Sequence, residues 1–305
     1  MIRFEKFAKT YGATMAVDDL TLSVEPGEAV ALLGPNGSGK TTCLKAAAGL
    51  IRPTSGRVLV GSPGRPASEP EARRAISYLP QKASFPESLT GREVVEFHRR
   101  LRGADAARVP EVFRFASLNG ASNRAVSTYS GGMLQRLGLA VAVLPEAPVL
   151  LLDEPTAALD PDGLCAFYGL VERRRRAGQT LLFTSHHLGD VERLADRFAL
   201  LVEGRLAAAL TQGELADRLA SRGVLRLRLD RRPAGLIEKV RALAPNAIWS
   251  GEELVVPGPA ADRPRVLDLV RGEGREIREL TAEAGRLDDL YRELVARIDD
   301  GKTED

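Results

Sequence analysis

The chain has 305 residues, enough for two domains or for one large domain with an appendage. Its residues are 44% hydrophobic and 28% charged, an ordinary globular balance that excludes a mostly disordered or collagen-like chain. With 43 basic and 41 acidic residues the formal charge is +2, so no global positive field argues for nucleic acid or for adsorption to a membrane.

The first residues, MIRFEKFAKTYG, lack the apolar core of a signal peptide. No run reaches the roughly 18 apolar residues of a membrane span. The nearest, Leu137–Leu144, stops at Pro145 and Glu146. A cytoplasmic location is expected. Cys43 and Cys165 are too few for a disulfide scaffold and lack metal-site spacing.

Residues 1–213 alternate short apolar runs with helical patterns. The run Glu28–Leu33 is a continuous apolar strand candidate, as are Val149–Leu152 and Thr180–Thr184. Strands without polar alternation suit a parallel sheet covered on both faces, and helices between them make βαβ units. Directly after the first strand comes Gly34-Pro35-Asn36-Gly37-Ser38-Gly39-Lys40-Thr41, which fits G-x-x-x-x-G-K-[ST]. Glycines let the backbone wrap a phosphate so that its amides point inward. A helix beginning near Lys40 adds its N-terminal dipole. Lys40 can reach β- and γ-phosphates, and the Thr41 hydroxyl can ligate Mg²⁺.

Residues 85–145 are helix-rich, with Thr90 as an N-cap candidate before Glu93–Leu101; His98 in that segment reads as a surface residue. After the strand Val149–Leu152, Asp153 can hold Mg²⁺ directly or through water, and Glu154 can polarise water for in-line attack on a γ-phosphate. The run Arg173–Arg176 falls in the last turns of a helix before Gly178 and reads as a solvated face that complements the helix dipole. His186 and His187 are adjacent on an extended segment, so they point to opposite faces and make a poor two-histidine chelate.

After Gly213 the pattern changes. Helices are expected near 213–222, 234–243, 262–271 and 286–298, strands at 224–230 and near 275–280, and a hairpin across Ser250-Gly251. Residues 214–305 thus form a small α+β domain able to carry its own core.

The segment Thr128-Tyr129-Ser130-Gly131-Gly132-Met133-Leu134-Gln135-Arg136 resembles the L-S-G-G-Q signature of the ATP-binding subunits of ABC transporters. The resemblance covers about 1–213. It implies a P-loop NTPase of the α/β class: a RecA-like core sheet, a helical subdomain at about 85–145, and the C-terminal α+β domain as an addition. The activity implied is ATP hydrolysis with Mg²⁺ as cofactor. Ser130, Gly131 and Gly132 lie at a helix N-terminus, which favours anions, and in the family this helix meets the γ-phosphate bound by the opposite subunit. A head-to-tail homodimer with two ATP molecules between its faces follows, with no nucleic-acid partner.

Other positions carry over one by one. Tyr11 resembles the aromatic that stacks on adenine. Gly34 through Thr42 match the nucleotide loop, including Pro35, Asn36, Gly37, Ser38, Gly39 and Thr42 itself. Gln81 resembles the glutamine that senses Mg²⁺ and the attacking water, Asp160 the aspartate that communicates across the dimer, and His186 the switch histidine at the γ-phosphate. Two residues depart from the pattern. Met133 replaces the usual signature glutamine and Tyr129 the usual leucine, so slower or looser coupling is expected.

The stretch Leu287-Asp-Asp-Leu-Tyr-Arg-Glu-Leu294 resembles an ending found in export-type members, which serve a separate membrane permease. The expected permease contact lies near Lys82–Glu96, at the cytoplasmic face of the membrane. Within the export type, the signature segment and the length are similar to the ATPase of nitrous-oxide-reductase copper-site maturation. The rival class is a soluble ABC ATPase that acts in assembly or regulation without transport.

Overall fold

The computed structural model describes residues 1–157, 159–185, 188–285 and Leu290. The chain divides into two compact units, Met1–Leu210 and Thr211–Asp305. The division falls three residues before Gly213, which lies inside a helix rather than at a break.

The first unit opens with two long strands, β1 (Ile2–Tyr11) and β2 (Thr14–Val24), then β3 (Ala29–Leu33) and helix α1 (Lys40–Ala47). Next come β4 (Ser55–Val60), β5 (Arg65–Pro66), α2 (Pro70–Arg74) and β6 (Ile76–Leu79). The helices α3 (Gly91–Arg102), α4 (Arg108–Phe115) and α5 (Gly131–Val143) follow. The unit ends with β7 (Val149–Asp153), α6 (Pro161–Arg176), β8 (Thr180–Thr184), α7 (Leu188–Leu194), β9 (Arg197–Val202) and β10 (Arg205–Thr211).

Six strands form the central sheet, in the order β10-β9-β3-β8-β7-β6. The pairs β3–β8, β3–β9, β6–β7 and β7–β8 are parallel. Every residue of β3, β7 and β8 is buried, which is why these strands read as unbroken apolar runs. A second, antiparallel sheet, β2-β1-β4-β5, was not expected from the run pattern. Its Phe4, Phe7, Leu20 and Val60 pack with Cys43 and Leu44 of α1 against Val30, Leu32 and Leu182 of the parallel sheet. Each large apolar side chain so buried contributes about 1.5–3 kcal/mol.

Helix α3 is capped as its sequence predicts. Thr90 Oγ1 accepts from the Glu93 amide, and the Glu93 carboxylate accepts from the Thr90 amide at 2.8 Å. His98 is not a plain surface residue. Its ring stands edge-on to Phe97 at 5.3 Å and to Phe85 at 6.3 Å, and burial beside Arg102 pushes its pKa down. The arginine run is not a simple solvated face either. Arg174 is 12% exposed, donates to the Val143 carbonyl at 2.9 Å and pairs with Glu146 at 2.9 Å. Arg108 of α4 meets the same carboxylate and the same carbonyl. Arg175 pairs with Asp196. The run therefore ties α6 to the helical subdomain and to the start of β9.

In the second unit, α8 (Gln212–Ala220) leads to β11 (Val224–Leu229), α9 (Leu236–Arg241), β12 (Ile248–Ser250), β13 (Glu253–Pro257), α10 (Arg263–Gly272) and β14 (Ile277–Glu283). The strands form an antiparallel sheet ordered β12-β13-β11-β14. Leu225, Leu227 and Leu229 face α9 and α10, packing with Val240, Val266 and Val270. Arg226 and Arg228 take the alternate face, where Arg228 lies opposite Glu253 and Glu279 and pairs with them at 3.1 and 3.2 Å. The helix expected near 286–298 lies outside the described residues, apart from Leu290.

Candidate nucleotide site

The carboxyl ends of parallel strands are where an α/β sheet presents loops to a ligand. Here β3 ends at Leu33 and the chain turns at once into Gly34–Gly39 before α1 starts at Lys40. The turn is tight enough to demand glycine. A Cβ on Gly34 would lie 2.2 Å from the Leu201 carbonyl, and one on Gly39, at φ +97°, would lie 2.5 Å from the Ala16 carbonyl.

Lys40 is 7% exposed, and its ammonium donates to the carbonyls of Gly34 at 2.7 Å and Pro35 at 2.8 Å. Burial lowers its pKa, while nearby Glu154 and Asp153 oppose the shift. The cation is thus held inside the loop that its own carbonyls line. Ser38 Oγ is buried without a hydrogen-bond partner among the described residues.

Asp153 closes β7 at 1% exposure. One carboxylate oxygen, Oδ1, accepts from Thr184 Oγ1 at 2.7 Å across the β7–β8 pair; the other, Oδ2, is buried with no hydrogen-bond partner among the described residues. A buried carboxylate oxygen without a donor is costly, and a hard cation or its bound water would satisfy it. Glu154 follows with φ +52°, a left-handed conformation that a non-glycine residue adopts at some cost. Its amide donates to the same Thr184 Oγ1 at 2.9 Å, which holds the turn.

Tyr11, Asn36, Gly37, Lys40, Gln81 and Glu154 line one open cleft of about 530 Å³, to which Gly39, Thr41 and Thr42 also contribute. That volume is within the usual range of ligand pockets. Tyr11 is half exposed, and Lys9 Nζ lies 5.1 Å from its ring centroid. Residues from β1, the turn after β3, the segment after β6 and the end of β7 therefore meet in one place, though they span most of the first 154 positions.

The signature residues lie elsewhere. Ser130 caps α5, accepting from the Met133 amide at 3.3 Å, and Gly131 begins the helix. Ser130 and Gly131 are exposed, Gly132 is half-buried, and no atom approaches a Cβ built on Gly131. None of the three lines the nucleotide cleft. Asp160 caps α6, accepting from the Gly163 amide at 2.8 Å, and pairs with Arg136 of α5 at 3.7 Å. His186 lies outside the described residues.

Tyr129 has a clear local purpose. Its hydroxyl donates to the Ala121 carbonyl at 2.8 Å, over Gly91, where any Cβ would lie 2.2 Å from the phenol oxygen. The residue is 8% exposed and anchors the signature segment to the start of α3. Tyr129→Phe is expected to cost about 1 kcal/mol of stability, because one buried hydrogen bond is lost, although the Ala121 carbonyl still accepts from the Arg124 amide at 2.9 Å. Chemical denaturation checks this; an unchanged midpoint would contradict it.

Known proteins match the chain in sequence and in fold. The model of the family described as ABC transporter matches residues 17–157. The daunorubicin/doxorubicin resistance ATP-binding protein DrrA of Streptomyces peucetius is 40% identical over 225 residues, 72% of this chain and 68% of that protein. The Nod factor export ATP-binding protein I of Burkholderia thailandensis is 32% identical over 300 residues, 97% of each chain. Among solved structures, a dimeric post-hydrolysis state of an ATP-binding cassette bound to ADP and Pi superposes with a TM-score of 0.64 at 26% identity, over 70% of this chain and 99% of that one. With a phosphate loop, paired acidic residues and a signature segment on this fold, the chain belongs to the ABC transporter ATP-binding family, whose members are ATPases coupled to transport.

Proposed function

We propose that the chain is the ATPase of an exporter: two copies bind two ATP molecules head to tail and drive a separate membrane permease at the cytoplasmic face. The observation that carries the export reading is the 32% match over 97% of both chains to a protein named for export, which extends through the second unit. The relative named for drug resistance supports it. Export stands before copper-site maturation on those names, and before a soluble, non-transporting role on the family match.

In this reading the phosphates of ATP enter the Gly34–Thr42 loop, and Lys40 exchanges the Gly34 and Pro35 carbonyls for β- and γ-phosphate oxygens. Gly37 and Asn36 supply the wall, and Tyr11 supports the adenine. Thr41, Gln81 and Asp153 would hold Mg²⁺, which fits the unpartnered Oδ2 of Asp153. Bound there, Mg²⁺ neutralises charge on the phosphates. Glu154 takes the proton of the attacking water, with Gln81 orienting that water and His186 at the γ-phosphate. Ser130, Gly131 and Gly132 of one copy close over the γ-phosphate of the other, and Asp160 lies at the same seam. The permease contacts the exposed residues around Lys82–Glu96.

Lys40→Ala tests the nucleotide site. Each charge-assisted contact contributes about 1.5–3 kcal/mol, so losing one weakens ATP binding by roughly 10- to 150-fold. Equal affinity in the two proteins would contradict the assignment. For the export reading, the chain is expected to co-purify with a polytopic membrane protein from solubilised membranes and to hydrolyse ATP faster in that complex. Turnover and fractionation independent of any membrane protein would favour the soluble class.

A further inference from the structure

Asp190, on α7, is a buried carboxylate that the nucleotide chemistry above does not use; it is 4% exposed. Such a group is tolerated only when its oxygens are satisfied. Three hydroxyls do so, one from α6 and two from the segments that follow β7 and β8. Oδ2 accepts from Thr156 Oγ1 at 2.5 Å and from Ser185 Oγ at 2.8 Å, and Oδ1 accepts from the Tyr168 phenol. Thr156 is two residues beyond Glu154, Ser185 immediately precedes His186, and Tyr168 lies midway along α6. The Arg193 guanidinium lies 4.6 Å from the Tyr168 ring centroid. Burial and the bond to Asp190 push the Tyr168 phenol up to about 12, so it remains a donor.

The arrangement grips the Glu154 turn from two directions. Adjacent residues of an extended segment face opposite ways. Thr184, at the end of β8, bonds Asp153 and the Glu154 amide. Ser185, the next residue, points to Asp190, which in turn holds Thr156. Glu154-Pro155-Thr156 is thus pinned before and after. Pinning matters because the left-handed backbone of Glu154 persists only where its surroundings over-determine it.

We propose that Asp190 is a positioning residue for ATP hydrolysis, holding the Glu154–Thr156 turn and the segment that leads to His186 in register with α6. The proposal rests on Glu154 being the catalytic carboxylate. Asp190 lies outside the residues that line the nucleotide cleft, so it acts on the rate and not on ATP binding. A displacement of about 1 Å at a reacting group can cost on the order of 100-fold in rate.

The test is steady-state ATP hydrolysis by the full chain carrying Asp190→Asn, Thr156→Val, both together, Asp190→Glu, or Tyr168→Phe. Asp190→Asn is expected to lower kcat by about 10- to 100-fold with KM for ATP unchanged. Asp190→Glu restores the carboxylate and is expected to recover most of the rate. Thr156→Val lowers kcat in the same way, and the double variant loses no more than Asp190→Asn alone, because both act through one bond. Wild-type kcat in Asp190→Asn, additive losses in the double variant, or a KM that rises as kcat falls would each overturn the proposal. If Asp190→Asn does not fold, Tyr168→Phe decides. It keeps two of the three bonds and is expected to lower kcat at unchanged KM; an unchanged kcat there overturns the idea. Glu154→Gln in the same assay separates the two readings. Wild-type turnover in that variant removes the catalytic role of Glu154, whereas an inactive Glu154→Gln beside an unimpaired Asp190→Asn removes only the role of Asp190.

Discussion

Glu154→Gln is expected to lower ATP hydrolysis by about 10²–10⁴-fold while leaving ATP binding intact, the span that loss of a general base commonly costs. The amide keeps the size and position of the side chain but cannot accept the proton of the attacking water. The Glu154 amide is held by Thr184 Oγ1 at 2.9 Å, and the turn is held again through Thr156, so the substitution leaves the local structure in place. Asp153, Lys40 and the phosphate loop are untouched, which is why affinity is preserved. The variant also removes a negative charge from the cleft that would receive the γ-phosphate, and an ATP-bound dimer is expected to accumulate. Size-exclusion chromatography with MgATP reads the dimer and phosphate release reads the turnover. Wild-type turnover would show that Glu154 is not the base.

The parts of this site that were legible in the sequence are those whose chemistry is local. The phosphate loop is one continuous stretch with its glycines and lysine at fixed spacing, although the carbonyls that demand glycine at Gly39 and Gly34 belong to Ala16 of β2 and Leu201 of β9. The strands β3, β7 and β8 were legible because burial on both faces removes polar alternation. The antiparallel sheet was not. Its strands alternate only in part, because β1 and β2 shift register, between Phe4 and Phe7 in β1, and Lys6 and Asp19 adopt positive φ there. Each irregularity moves the buried residues to the other parity, and the two-residue period dissolves.

Residues whose meaning depends on distant partners were equally hidden. Arg174 read as one cation among four, yet it is held by Glu146 and by the Val143 carbonyl, the latter 31 residues away in sequence. Tyr129 read as a departure from a signature, while its use depends on Ala121 and on the bare surface of Gly91. Asp190 sits in a short helix of mixed charge, where an acidic residue ordinarily faces water. Only the fold brings Thr156, Ser185 and Tyr168 to it.

Ser130→Arg is expected to spare ATP binding by a single chain and to reduce turnover by at least about 10²-fold, as loss of preorganised donors to a developing charge does elsewhere. The geometry supports the separation of the two effects. Ser130 and Gly131 are exposed at the start of α5, and neither they nor Gly132 line the cleft that holds Lys40 and Glu154. A bulky side chain there cannot obstruct the chain's own nucleotide loop, but it would cover the open helix end and keep a second copy away. The sharper test mixes Ser130→Arg with Lys40→Ala. In a head-to-tail dimer of the two variants, the phosphate loop altered by Lys40→Ala in one chain faces the signature helix altered by Ser130→Arg in the other, so both lesions fall on one composite site. The second site has Lys40 and Ser130 intact. Half of the dimers in an equal mixture are mixed and each has one intact site of two, so turnover is expected to recover to at most about a quarter of the wild-type rate. Recovery in the mixture with none in either variant alone requires that the site be shared. Full turnover by Ser130→Arg alone would mean that the signature helix of this chain does not serve the nucleotide of a partner.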